Sequence, residues 1–291
     1  MWKKLTLESK NSIDEYTKGR FDISDNTFTN LYLWSFGEDT EYKIENDILL
    51  IKSVYEGEVY YHMPMPKYEK YEDEETIKKM VEIIKELIEE KASILYFTEY
   101  WVEKLKKYFE FKEARYLEDY IYSVESLAYL KGRSYAKKKN RVSNFKRNYE
   151  YTYEKITEAN IKEVIEFQKL WAKLNIDKDQ EVLISETMGI IEVLKNFEHL
   201  DAIGGLLRVD GKIVAYTLGE ELNEKMFVIH VEKALIEYIG SYQAINMIFL
   251  QEEALKYEFV NREDDFGDEG LREAKMSYKP INLLKKFSIE Y

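Results

Sequence analysis

Residues Phe259–Pro280 read FVNREDDFGDEGLREAKMSYKP. Apolar residues lead in as a strand would. Asn261, Arg262, Glu263, Asp264 and Asp265 then form an unbroken polar row, Gly267 and Gly270 flank an acidic turn, and a short helix with Arg272 and Lys275 follows. Neighbouring like charges repel and desolvated charges need partners, so such a row costs stability unless something pairs with it. It is read as the tail of a strand, 259–265, kept for a site. A second stretch has the same order of elements. ILYFTEYWVEKLKKYFEFKEARYLEDYIYSV and YEFVNREDDFGDEGLREAKMSYKPINLLKKFSIEY are each strand, short helix, strand, strand. The chain thus reads as two related units, 1–130 and 131–291. Where the second has its polar row, the first has Phe97-Thr98-Glu99-Tyr100.

Composition agrees with two folded units. At 291 residues the chain exceeds the usual size of one domain, and 45% hydrophobic residues supply real cores. The absence of cysteine excludes disulfides and thiolate chemistry, and three scattered histidines (His62, His199, His230) argue against a metal site. The start MWKKLTLESK lacks the apolar stretch of a signal peptide, and no apolar run approaches membrane-helix length, so a soluble cytoplasmic protein is expected. A net charge of −13 disfavours nucleic-acid binding by the whole surface, but Lys131–Arg147 holds eight Lys/Arg and no acid.

Along the chain, residues 74–90 carry Ile77, Met80, Val81, Ile84, Leu87 and Ile88 at helical spacing. Short apolar runs between Tyr42 and Tyr61 read as antiparallel strands, and Lys131–Tyr149 reads as a basic helix. That helix is either a solvated connector or an anion cradle using Arg133, Lys138, Asn140 and Arg141. Thr157 is placed to cap a helix, Leu183–Phe197 gives another, and Asp210-Gly211 marks a tight hairpin within Ala202–Leu222. Met226–Lys233 reads as a strand, and Ser241 as the cap of a helix reaching Lys256.

The order of elements in 150–291 resembles a GNAT acyltransferase fold. More specifically, GRSYAKKKNRVSNFKR, VIHVEKALIEYIGSYQAIN and the 259–280 stretch are similar to signatures of a bacterial family named after the C-terminal domain of phosphatidylglycerol lysyltransferase. The resemblance covers nearly the whole chain. It implies an α/β (α+β) protein of tandem GNAT-like domains, with mixed, mostly antiparallel sheets flanked by helices. It also implies kinship with transferases that take an aminoacyl group from tRNA. Lipid-modifying members carry a membrane domain ahead of this part; none is read here, which points away from a lipid acceptor and toward a small-molecule or peptide one.

On strand 226–233 simple alternation puts Met226, Val228, His230 and Glu232 on one face. His230 and Glu232 would then point the same way, which suits a general base; the bland alternative is a satisfied core histidine and a Glu232 paired with Arg262 or Lys275. On 259–265, alternation puts Asn261, Glu263 and Asp265 on one face and Arg262 and Asp264 on the other. Glu232 or Glu263 is the expected base. Arg272, Lys275, Ser277 and Asn246 are further candidates for substrate binding. The resemblance offers Tyr278 as the acid for a leaving group; packing before Pro280 is its other reading. The turn at Gly240, Ser241 and Tyr242 precedes a helix, where backbone amides cradle phosphate. It lacks a glycine-rich run, which fits an aminoacyl-tRNA lying on the basic helix better than acyl-CoA. Two readings stay open: acyl or aminoacyl transfer, and a non-enzymatic ligand-binding module on a degenerate GNAT scaffold. No cofactor and no oligomeric state follow from the residues.

Overall fold

The computed structural model describes residues 1–175 and 180–291. Two sheets carry the chain. The first holds β1 (Lys3–Lys4), β2 (Glu41–Glu45), β3 (Ile48–Tyr55), β4 (Glu58–His62), β5 (Met65–Pro66), β6 (Ser93–Phe97) and β7 (Lys112–Glu113). The second holds β8 (Asp119–Ser123), β9 (Tyr151–Lys155), β10 (Ile203–Val209), β11 (Lys212–Asn223), β12 (Met226–Ala234), β13 (Phe259–Asn261) and β14 (Asn282–Leu284). The last strand, β15 (Phe287–Ile289), returns to the first sheet.

The sheets follow one plan. The first is ordered β1-β2-β3-β4-β6-β15-β7, with β5 beside β3; the second is β9-β10-β11-β12-β13-β8-β14. Each has one parallel pair, β4 with β6 and β12 with β13. Each then receives a strand from the other end of the chain: β15 inserts between β6 and β7, and β8 between β13 and β14. The matched ends seen in the sequence are therefore matched in space, with their final strands exchanged. A boundary near residue 130 describes chain order only, because β8 precedes it and lies in the second sheet.

Local physics accounts for the elements. α1 (Lys10–Thr17) and α2 (Phe28–Glu38) open the chain; α2 buries Phe28, Leu31, Tyr32 and Leu33. α3 (Glu74–Glu89) buries Met80, Val81, Ile84 and Leu87, and the Asp73 carboxylate accepts from the Thr76 amide at 2.9 Å. α4 (Glu99–Leu105), α5 (Val124–Tyr129) and α6 (Ala136–Asn148) follow. α7 (Ile161–Leu174) starts at Asn160, not Thr157: the Asn160 side chain accepts from the Thr157 amide and donates to the Lys155 carbonyl. α8 (Gln180–Lys195) crosses α2 so closely that a Cβ on Gly189 would lie 1.9 Å from the Leu33 carbonyl oxygen. The β10–β11 hairpin turns at Asp210 (φ 49°) and Gly211 (φ 75°), the left-handed pair its Asp-Gly predicts. α9 (Ser241–Phe249) continues through a π-helical turn, Leu250–Ala254, and α10 (Glu269–Met276) starts on the Asp268 side chain.

These helices give the second sheet two different faces. Val164, Trp171, Ile190 and Leu194 of α7 and α8 join the core of the first unit, with Tyr216 and Leu218 of β11 facing them. Val142, Phe145, Ala244, Ile245 and Phe249 of α6 and α9 form a second core, with Phe227 and Ile229 of β12 facing them. The parallel pair β12–β13 lies between the two cores.

Candidate functional site

β12 and β13 pair only at Met226–Phe259, Phe227–Val260 and Val228–Asn261. Beyond Asn261 the chain leaves β12 and stays with β8: the Arg262 amide donates to the Tyr120 carbonyl at 3.0 Å, and the Tyr120 amide to the Glu263 carbonyl at 3.2 Å. The strand expected over 259–265 therefore ends at Asn261, and Glu263 has a left-handed backbone (φ 56°). A wedge opens between the upper half of β12 and the polar row.

Simple alternation fails on β12 as well. Leu218 of β11 faces Val231, but Gly219 faces Ile229, so His230 is a bulged residue with no partner in the ladder. The extra residue sends His230 and Glu232 to opposite faces. His230 points toward the first unit, and Glu232 toward α9.

On the first-unit side, His230 Nδ1 lies 2.7 Å from Glu263 Oε1 and Nε2 lies 3.0 Å from Glu220 Oε1. Burial opposes a charge on this ring, yet the hydrogen bonds of Glu220 and Glu263 outweigh it and lift the pKa to about 10. His230 is thus an imidazolium clamped by two carboxylates, not a base. The α2 side chains Thr29 and Asn30 complete the network, donating to Glu220 Oε2 at 2.8 Å and to Glu263 Oε1 at 2.9 Å. Both contacts to Glu263 fall on Oε1.

On the α9 side, Glu232 accepts from Arg262 Nη2 at 3.1 Å and from Asn246 Nδ2 at 2.7 Å. The Arg262 guanidinium sits 4.7 Å from the ring centre of Tyr278 and 5.7 Å from that of Tyr122. Among the described residues its Nη1 is buried without a hydrogen-bond partner, while the Tyr278 hydroxyl lies near enough to interact with the guanidinium. Burial raises the Tyr278 hydroxyl to about 12, against the neighbouring Arg262 charge. Lys138 of α6 lies 4.3 Å from the centre of the same ring and donates to Ser277 Oγ.

Lys138 also lines a cavity of about 430 Å³ between α6 and the β12–α9 turn, with Lys137, Arg141, Tyr238, Gly240 and Gln243. Among the described residues no carboxylate side chain lines it. Gly240 (φ 93°) is required here: a Cβ would fall 2.2 Å from the Arg141 carbonyl oxygen. The basic helix and the Gly240-Ser241-Tyr242 turn, predicted separately, thus form one wall-and-floor arrangement. Ser241 does not cap α9, since its hydroxyl donates to the Leu235 carbonyl at 2.9 Å. Arg133 and Asn140 are exposed and outside the cavity lining.

The rest of the polar row is structural. Asn261 donates to Asp119 Oδ2 at 2.7 Å and to the Asp22 carbonyl at 3.0 Å, tying β13 to the first unit. Asp265 is fully buried and accepts from Arg272 at 2.8 and 2.9 Å and from Tyr120 at 2.5 Å; burial is overcome and its pKa falls to about 2. Lys275 donates to the carbonyls of Arg262 and Asp264. Asp264 is lifted to about 6 by burial, with Lys286 and Lys275 opposing. The sequence reading missed the centre of this network: Lys286 is fully buried, pairs with Asp25, and lies 2.7 Å from Asp119. A lysine and an aspartate inside the apolar strands LLKKF and YLEDYIY were the available signal, since buried charges occur in pairs. Ile236 and Ile239 at the cavity were also missed.

Among the described residues no helix is long and apolar enough to cross a membrane, and no group of three His, Asp or Glu is arranged to hold a metal. A crystal structure of a conserved protein of unknown function from Bacteroides thetaiotaomicron is similar throughout, at TM-score 0.86 and 34% identity over 99% of this chain and 98% of that one. L-PGS from Bacillus licheniformis shares the fold at TM-score 0.66 and 12% identity, over 99% and 93%. An uncharacterized protein of Mycoplasmoides gallisepticum is 25% identical over 179 residues, which span 59% of this chain and 56% of that protein. The architecture is that of two GNAT-like units in tandem. The family model described as phosphatidylglycerol lysyltransferase, C-terminal, matches residues 18–290, and the chain belongs to that family.

Proposed function

We propose that the chain transfers an acyl or aminoacyl group from a phosphate-bearing donor to an amine or hydroxyl, at the wedge between β12 and β13. The observation that carries this reading is the basic cavity beside the wedge, lined among the described residues by Lys137, Lys138 and Arg141 and joined to the wedge by Lys138, Tyr278 and Arg262. Donor phosphates would lie against Lys137, Arg141 and the amides at the start of α9. The unpartnered Arg262 N–H would steady the oxyanion that forms on the carbonyl. Glu232 has both oxygens engaged and would position Arg262, whereas Glu263 is held through Oε1 and would take the acceptor's proton on Oε2. Tyr278 would return a proton to the leaving group. An aminoacyl-tRNA or acyl-CoA donor would place the reaction in the cytoplasm, with a small-molecule or peptide acceptor.

The test is turnover of labelled aminoacyl-tRNA or acetyl-CoA, with products read by mass spectrometry. Glu263→Gln should lower the rate by about 10²–10⁴-fold with little change in donor binding. A rate unaffected by this substitution removes Glu263 from the chemistry. A second reading, a ligand-binding module, is favoured by the clamped His230, which fills the wedge's far side with a satisfied charge. Thermal stabilisation by free amino acids without turnover of either donor would select it.

A further inference from the structure

Lys138 differs from the lysines on either side of it. Lys137 and Lys139 are exposed, whereas Lys138 is half-buried at the cavity wall. Its two nearest partners are neutral: the Ser277 hydroxyl and the face of the Tyr278 ring. Among the described residues the charges that bear on it, Arg262, Arg141 and Lys137, are all positive. Many of the described lysines pair with a carboxylate, as Lys233 does with Glu186; this one sits among cations, next to an open volume large enough for a small acyl donor.

We propose that Lys138 is a self-acylation site, its Nζ accepting an acyl group from an activated ester, thioester or mixed anhydride in the cavity between α6 and the β12–α9 turn. The proposal rests on the reading that this cavity takes an acyl donor. In the step, the lone pair of the neutral amine attacks the carbonyl carbon. An N–C bond forms, the C–S or C–O bond breaks, and its electron pair leaves with the thiolate, alkoxide or phosphate. The proton lost from nitrogen goes to that leaving group or to water. Burial and the three neighbouring cations all favour the neutral amine, which is the reacting form. A lysine retained only to bind phosphate would be stabilised as a cation instead. The product amide is uncharged, so acylation would remove one of the three cationic side chains that line the cavity among the described residues and weaken the site for its anionic donor.

The experiment uses the full chain at neutral pH with acetyl-CoA and, separately, acetyl phosphate. Peptide mapping then reads occupancy at Lys137, Lys138 and Lys139, so the flanking lysines serve as internal controls. Occupancy at Lys138 should exceed theirs by about tenfold or more, because the donor is held beside the amine. Lys138→Arg should abolish this adduct and leave the flanking occupancies unchanged. Modification by both reagents, or by acetyl-CoA alone, supports the proposal and the donor reading together. Modification by acetyl phosphate alone supports Lys138 as the acceptor and counts against a coenzyme A donor. Occupancy at Lys138 no higher than at Lys137 and Lys139 with both reagents overturns the proposal.

Discussion

The two units end their parallel pairs in the same way and fill the space beyond differently. β4 and β6 pair at Tyr60–Ser93, Tyr61–Ile94 and His62–Leu95, and β12 and β13 at three positions likewise. In the first unit the space beyond is taken by Tyr96, whose ring lies 4.5 Å from His62, and by Lys286, 5.7 Å from the Tyr96 ring and held by Asp119 and Asp25. In the second it is taken by Arg262 and Glu232, with one guanidinium nitrogen left unpaired. One frame thus serves as a charge-locked joint in the first unit, and in the second leaves a guanidinium nitrogen without a partner among the described residues.

The largest effect should come from removing the cation at each place. Lys286→Met leaves Asp119 and Asp25 facing each other in a fully buried site, and should cost about 3–5 kcal/mol in urea unfolding. Arg262→Met leaves Glu232 with Asn246 and a less enclosed position, and should cost about 1–3 kcal/mol. Equal losses would erase the distinction between joint and site.

The two histidines sharpen the contrast through pH. His230 is raised from 6.5 to about 10, so its contribution is full below about pH 6.5 and disappears as pH rises toward 10. His62 is lowered from 6.5 to about 3, by burial and by the Lys286 charge. Its neutral ring opposes protonation, so stability falls as pH drops from about 6.5 toward 3, by up to about 1.4 kcal/mol per pH unit. Urea unfolding of the wild type, His230→Gln and His62→Gln across pH 4–10 would separate them. The wild-type advantage over His230→Gln should shrink in the alkaline limb, and that over His62→Gln in the acid limb. Slopes of the same sign in both comparisons would refute the assignment.

Much of this was legible where the signal is local. The Asp210-Gly211 turn, the apolar stripe of α3 and the strand–helix–strand–strand ends depend on residues close in sequence. The wedge residues were visible as a polar row for the same reason. The facing of His230 and Glu232 was not, because the bulge exists only in the pairing of β12 with β11. The exchange of β8 and β15 was equally hidden: YIYS and FSI suit either sheet, and only non-local pairing decides. Lys286 and Asp119 lie 167 residues apart, so neither announces the other.

The smallest effect is the most informative about the second wedge. Asn246→Ala removes the donor to Glu232 Oε2 while Arg262 still holds Oε1. If the guanidinium is fixed by Tyr278 and Tyr122, Oε2 stays short of a donor and the loss should be about 1–2 kcal/mol. If instead Arg262 can turn its free Nη1 onto Oε2, the pair becomes two-pronged and the loss drops below about 0.5 kcal/mol. That second outcome would mean the unpaired nitrogen answers to Glu232 rather than to a ligand, and Arg262 would lose its proposed role in steadying an oxyanion while the tandem fold around it stood unchanged.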